Sequence, residues 1–326
     1  MRDGKLGVAI HGAGWVAGAH AASWKKCPDV EVVSISDVDR DRAGRLADEH
    51  GLDCPLRDDY DEVLADDRVD IVDVTSPSHV HAEQGIAAAL AGKHVLVEKP
   101  IALSMDENRR LRDAVAEAGV KSLAGFVLRW NPAAQTIKAL VDSGAIGRLF
   151  YLEMDYWHGL NPSHHAWDLH SKRKTGGSTM LLGGCHAIDA LRWFAGDEVE
   201  EVAAFSNNQK RHFEYDANVV AVMKFRNGIL GKSAALFDAE MPYQFNLDLA
   251  GTEGTIRDNR VWSKKLFPGQ TSWTTVPTIL PDSADVHHHP FDAEMIHFVD
   301  CVRHDRESHC NIADAYRTHE LCMAID

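Results

Sequence analysis

From residue 5 to about residue 127, short apolar runs alternate with amphipathic stretches of helical period. LGVAI leads into a helix from Trp15, and VEVVSIS into a helix over residues 40–50. Residues 69–74 precede a helix over 80–91, HVLVE precedes one over 104–118, and residues 121–127 close the series. Runs of β-branched residues separated by helices of roughly 10–15 residues predict βαβ units and a parallel sheet. The first half therefore reads as α/β and doubly wound.

Beyond Asn131-Pro132 the pattern changes. Proline suits the first turn of a helix, which is expected to run to Ser143-Gly144. Strand-like segments at 148–156, 199–205, 217–225, 229–237 and 243–250 then follow with only turns between them, and Asn227-Gly228 is a hairpin signal. A helix over 179–194 interrupts them, and two more are expected at 291–306 and 311–324. This half reads as an α+β domain with a large, open, mostly antiparallel sheet. The division expected is residues 1–127 and 128–326, closely packed, because no repeat or low-complexity linker separates them.

Composition narrows the function. A chain of 326 residues exceeds one ordinary core. Its 34 basic and 49 acidic residues give a net charge of −15, which repels a polyanion, so no nucleic acid partner is expected. The six cysteines, Cys27, Cys54, Cys185, Cys301, Cys310 and Cys322, show no pairing pattern, as in a reduced compartment. With no signal-peptide pattern at the start and no apolar run near the ~20 residues that span a bilayer, a cytoplasmic protein without membrane contact is expected.

The segment after the first strand carries the first chemistry. Gly12-Ala13-Gly14-Trp15-Val16-Ala17 lies between a strand and a helix, the context of a dinucleotide fingerprint. Gly12 permits the tight turn, Gly14 lets backbone approach a pyrophosphate, and Ala17 lets helix and strand pack closely. Asp37 ends the second strand about 25 residues later, near the offset of a carboxylate that binds ribose hydroxyls. It favours NAD over NADP, although Arg40 weakens that exclusion. Helix capping is the competing role for Asp37, and Asp39 could fill it equally.

Two further segments make the reading specific. Thr75-Ser-Pro-Ser-His79-Val-His81 with Gly92-Lys-His-Val-Leu-Val-Glu98-Lys99-Pro100, and Gly176-Gly-Ser-Thr-Met-Leu-Leu-Gly-Gly184-Cys-His186-Ala-Ile-Asp189, resemble the signatures of the glucose-fructose oxidoreductase, inositol dehydrogenase and rhizopine catabolism (Gfo/Idh/MocA) family. The segment at residues 125–132 and the H-P-F-x-x-E at 289–294 extend the resemblance over nearly the whole chain. It implies a Rossmann domain followed by the open-sheet domain, hydride transfer between NAD and a hydroxyl or ketone of a sugar, inositol or related polyol, and a homodimer or homotetramer.

The resemblance also implies roles for residues. Gly12, Gly14, Trp15, Val16, Asp37, Ser76, Pro77, His79, Glu98 and Lys99 are expected around the cofactor, with the Lys99-Pro100 bond cis. Lys99 is expected to hydrogen-bond the reacting oxygen, and His186 to act as general base, since an imidazole titrates near working pH. Asp189, about one helical turn on, could orient His186 or anchor the helix. Arg129, Trp157, His165, Trp167, Asp168, His186 and His288 are expected to face the substrate, the tryptophans offering flat faces to sugar C–H groups.

One departure stands out: relatives commonly place an aspartate four residues before this histidine, and this chain has Leu182. Either Lys99 and His186 suffice, or Asp168 or His165 substitutes, or dehydrogenation is lost. An NAD-dependent glycosidase or lyase acting through a transient keto-sugar, and a non-catalytic NAD and sugar sensor, are the alternatives. No metal is expected, because adjacent histidines such as His164-His165 and His287-His288-His289 rarely converge on one ion.

Overall fold

The computed structural model describes residues 4–164, 166–277 and 289–326. Contacts divide the chain into two compact units, one of Met1–Phe126 with Phe291–His319, the other of Val127–Pro290 with Glu320–Asp326.

The first unit is built on six parallel strands. In chain order it contains β1 (Leu6–His11), α1 (Trp15–Lys26), β2 (Val30–Ser36), α2 (Arg40–His50), β3 (Leu56–Arg57), α3 (Tyr60–Leu64), β4 (Ile71–Val74), α4 (His81–Leu90), β5 (His94–Val97), α5 (Met105–Ala118) and β6 (Ser122–Ala124). The strand order is β3-β2-β1-β4-β5-β6, with the reversal beside β1 that defines a doubly wound sheet. All six residues of β1 and all four of β4 are buried, because helices cover both faces of such a sheet. The short β3 and α3 carry too little periodicity to be seen in the sequence.

Local signals set the helix limits. Asp39 caps α2 by accepting from the N–H groups of Asp41 and Arg42, and Gly51 ends it in a left-handed conformation. Ser104 caps α5, and Gly119 closes it. Asp37 therefore does not cap α2; Asp39 has that role.

The second unit holds α6 (Pro132–Asp142), β7 (Leu149–Trp157), α7 (Trp167–His170), α8 (Arg173–Gly176), α9 (Cys185–Ala195), β8 (Val199–Asn207), β9 (Asn218–Phe225), β10 (Leu230–Leu236), β11 (Gln244–Gly251), β12 (Gly254–Arg257), β13 (Arg260–Ser263) and β14 (Thr274–Thr275). Its eight strands run β14-β13-β12-β11-β7-β10-β9-β8, antiparallel except for the parallel pair β7 and β10. Along β9 buried and exposed residues alternate, so one face meets the core and the other faces outward. The strands β12 to β14 add to those read from the sequence.

The last helices are α10 (Phe291–Arg303) and α11 (Ile312–Ile325). Helix α10 and α11 as far as His319 belong with the parallel-sheet unit, where Ser23 and Lys26 of α1 both bond Asp292.

The helix expected over 179–194 is interrupted. Met180–Gly184 forms a wider π turn, and regular α-helix starts only at Cys185. Such insertions shift the faces of the residues on either side, and they recur at functional sites.

Two buried ionic groupings hold these units. In the second, Arg129 forks onto Asp189 of α9, with Nε to Oδ2 at 2.7 Å and Nη2 to Oδ1 at 2.6 Å, both side chains nearly inaccessible. Removing one partner leaves a buried charge uncompensated, so Asp189→Ala should lower stability by about 3–5 kcal/mol in urea unfolding. In the first, His20 lies buried between Asp73 and Glu98. Burial alone would pull its imidazole down, but the two carboxylates, Asp73 first, outweigh this and push it up to about 10 from 6.5. A raised folded value adds stability that is complete below pH 6.5 and lost as pH rises through about 10. Unfolding midpoints from pH 6 to 10 should fall more steeply for the native chain than for His20→Gln, and parallel curves would contradict this.

Candidate active site

The glycine turn begins where β1 ends. Gly12 has φ of 99°, and a Cβ there would lie 2.4 Å from the backbone nitrogen of Ser76, so only glycine fits. The Gly12 N–H donates to the Ser36 carbonyl at 2.7 Å, and Thr75 Oγ1 donates to the Gly12 carbonyl at 2.7 Å. The turn is thus pinned between the ends of β2 and β4.

Helix α1 follows from Gly14, with no side-chain cap and no acidic residue in its first turn. Its N–H groups and positive dipole end remain available to an anion. Trp15 is half exposed at that end. Asp37 is buried at the end of β2, accepting from Ala13 N–H at 2.7 Å and Asp39 N–H at 2.8 Å. Its carboxylate is therefore fixed beside the glycine turn.

The Ser76-Pro77 turn follows β4. His81 ties it to the next loop, with Nδ1 2.8 Å from the Pro100 carbonyl and Nε2 2.6 Å from the Ser76 carbonyl. The Nδ1 of His79 is buried with no hydrogen-bond partner, which suits a site meant to receive a further polar group. Glu98 and Lys99 follow β5, and the Lys99-Pro100 bond is cis. Glu98 is buried, and its Oε2 accepts from the Lys99 N–H at 3.0 Å. Burial opposes its ionisation, but the hydrogen bond and charge of His20 hold its carboxyl below the ordinary glutamate value. The residues expected at the cofactor thus share one edge of the parallel sheet, and a cradle that a single Cβ would fill, beside an uncapped helix start, fits a dinucleotide.

In the second unit His186 lies in the first turn of α9, buried. Its ring stacks on Tyr156 of β7 at 5.9 Å between centroids, with 19° between planes, and the His289 ring is 6.0 Å away. Tyr243 packs edge-on against Tyr156 at 5.1 Å and against His158 at 5.2 Å. His158 Nδ1 is 3.2 Å from the Tyr156 hydroxyl, and His289 is 6.4 Å from Tyr243. Three imidazoles and two phenols therefore form one aromatic group around the expected base. Burial pushes both phenols above their ordinary range, so they stay neutral.

Several substrate candidates are placed otherwise. Arg129 is buried in its ion pair with Asp189, which makes Asp189 an anchor of α9. Strand alternation turns Trp157 to the face of β7 opposite Tyr156. Trp167 packs on Phe213 at 4.9 Å, and Asp168 is exposed on α7. His165, His287 and His288 lie outside the described residues. Leu182 is buried in the π turn. Tyr243 adds to the residues expected here; His289, beside the expected His288, and Tyr156 and His158, at the start of the loop that carries Trp157 and Trp167, fall in segments already read as facing the pocket. His289 lies in the H-P-F-x-x-E segment, whereas nothing local distinguishes Tyr243 from a core tyrosine.

Among the described residues no group of three or more histidine, cysteine or acidic side chains is placed to hold a metal ion, and no helix is long and apolar enough to cross a membrane.

Comparison with known proteins agrees with this architecture. Residues 6–126 match the model of the oxidoreductase family with an NAD-binding Rossmann fold, and residues 134–257 match the GFO/IDH/MocA C-terminal domain. The chain is 27% identical to scyllo-inositol 2-dehydrogenase (NAD(+)) of Bacillus subtilis, over 91% of this chain and 86% of the relative. It is 29% identical to 1,5-anhydro-D-fructose reductase of Ensifer adhaerens, over 81% of this chain and 77% of that one. The fold matches a levoglucosan dehydrogenase solved with NADH at a TM-score of 0.89 and 24% identity, covering 98% of this chain and 96% of the other. With its glycine turn, Glu98-Lys99-Pro100 segment and open second sheet, the chain belongs to the GFO/IDH/MocA family of NAD-binding oxidoreductases.

Proposed function

We propose that the protein transfers a hydride between NAD and a hydroxyl or ketone of a sugar, inositol or glycoside, with Lys99 and His186 handling the proton. The observation that carries this reading is the anchoring of Lys99 on the sheet edge that bears the glycine turn. Ligands of doubly wound sheets bind outside the carboxyl ends of the strands. The inositol dehydrogenase and anhydrofructose reductase among the relatives support the substrate class.

The first turn of α1 would hold the pyrophosphate, and Asp37 the ribose hydroxyls. A fixed carboxylate there repels a 2′-phosphate, which favours NAD over NADP. When bound, NAD supplies the hydride acceptor. In the oxidising direction Lys99 hydrogen-bonds the carbinol oxygen and holds the alcohol in place. His186 takes the hydroxyl proton as the carbonyl forms, and the reverse reaction returns it. Leu182 contributes no carboxylate to this exchange.

Association of copies is proposed through the outer face of the second sheet. Phe205, Val220, Val222 and Leu230 are exposed there and share one side by register. Val222→Glu should shift the mass measured by light scattering towards the monomer, and an unchanged oligomer would assign the contact elsewhere.

Gly12→Ala should weaken NADH binding by more than about tenfold, or about 1.4 kcal/mol, in a fluorescence titration. With NAD and a panel of inositols, sugars and glycosides, the native chain should generate NADH absorbance. Lys99→Ala and His186→Ala should each lower kcat/KM by about 10²–10⁴-fold while still binding NADH. Full activity in either variant removes that residue from the mechanism. Aglycone release from a glycoside without net NADH would replace dehydrogenation by the elimination route that the missing carboxylate at position 182 leaves open.

A further inference from the structure

Beneath Lys99 three carboxyl groups and one imidazole share a buried space. His20 of α1 is completely inaccessible, with Nδ1 2.9 Å and 3.1 Å from the two oxygens of Asp73 and Nε2 3.1 Å from Glu98 Oε1. Trp24, one turn further along α1, donates its Nε1–H to Asp73 Oδ2 at 2.6 Å. Asp73 therefore accepts from two side chains of α1. The ring of Phe291 closes the cluster at 4.9 Å from His20.

Glu294, from the first turn of α10, completes the group. It is wholly buried, and neither carboxyl oxygen has a hydrogen-bond partner. Burial first, and then the neighbouring Glu98 carboxylate, push its carboxyl well above the ordinary value. Its neutral form is thereby favoured. Both ring nitrogens of His20 face carboxylate oxygens, and only an imidazolium has a proton to offer at each.

The cluster is continuous with the site. Sheet bonding on β5 ends with Glu98, whose N–H donates to the Val74 carbonyl. The next N–H, that of Lys99, is held by the Glu98 side chain. The orientation of the Lys99 backbone thus depends on which way the Glu98 carboxylate points, and His20 holds that carboxylate from its other oxygen. Gly125 leaves the room: a Cβ there would lie 2.7 Å from Glu98 Oε1.

We propose that His20 is a positioning residue for the active lysine, a buried cation of α1 that locks Glu98 onto the Lys99 amide and so sets the direction of the Lys99 side chain. The proposal rests on the reading of Lys99 as the residue that holds the reacting oxygen, and it makes the start of the dinucleotide helix part of the same rigid body as the lysine. Asp73 and Trp24 hold the other side of the imidazolium. Glu294 stays protonated because a third anion could not be balanced there.

The test separates position from catalysis. The intact chain is reductively methylated with 13C-formaldehyde, and the Lys99 signal is assigned by its loss in Lys99→Arg. His20→Gln, or His20→Asn should His20→Gln not fold, should shift that signal, with NADH affinity within about twofold of native. In a 15N-labelled native chain one histidine should retain protons on both ring nitrogens at pH 8.5, a signal absent from His20→Gln. On a substrate the native chain turns over, kcat should fall at least about tenfold while KM stays within about twofold, because the alcohol still binds but is held at the wrong angle. An unmoved Lys99 signal in the folded variants, or unchanged kcat, overturns the proposal. A shifted Lys99 signal in a chain whose native form oxidises nothing on the panel upholds the positioning and overturns the hydride-transfer reading instead.

Discussion

Parallel pairing of β1 with β2 and β4, and of β4 with β5, is the constraint on which the rest depends. Because these strands run in one direction, every carboxyl end lies on one edge. The glycine turn after β1, Asp37 after β2, the Ser76 turn after β4 and the Glu98-Lys99 pair after β5 are distant in sequence and adjacent in space for that reason alone. An antiparallel arrangement would send alternate connections to the opposite edge. The hydrogen bonds Gly12 to Ser36, Thr75 to Gly12 and His81 to both Ser76 and Pro100 then bind these loops to one another.

The two units answer the same problem, how to hold polar chemistry against an apolar interior, in different ways. In the parallel-sheet unit the polar groups lie under the functional edge, where Asp73 and Glu98 bracket His20. In the second unit the ion pair of Arg129 and Asp189 fastens α9, while the group around His186 is aromatic and imidazole in character. Breaking a fully buried pair leaves one charge exposed to a medium that cannot solvate it. Each pair therefore specifies the position of the element it joins more sharply than apolar packing does.

The π turn over Met180–Gly184 bears on the chemistry of this particular member of its family. It delivers His186 at the first turn of α9, against Tyr156, and it buries Leu182. A buried carboxylate in place of that leucine would need a polar partner, whereas an isobutyl group needs only contact.

Much of this was legible from residue order. Alternating buried runs and helical stretches determined the parallel sheet, the spacing of small residues at Gly12, Gly14 and Ala17 determined the turn, and the joint motifs determined the family, because each depends on local backbone geometry and on periodicity. The same local rules placed the proline that opens α6, and they left Asp37 and Asp39 as equal candidates for the α2 cap until the hydrogen bonds separated them. What only the tertiary structure decided are relations between residues far apart in the chain. The pairing of Arg129 with Asp189, and the placing of Trp157 on the face of β7 opposite Tyr156, are relations of this kind. Tyr243 became a site neighbour only once β11 lay beside β7. His20, an unremarked helix residue in sequence, proved to be the cation beneath Lys99, because burial and charge pairing depend on which side chains folding brings together and not on which residues stand next to each other.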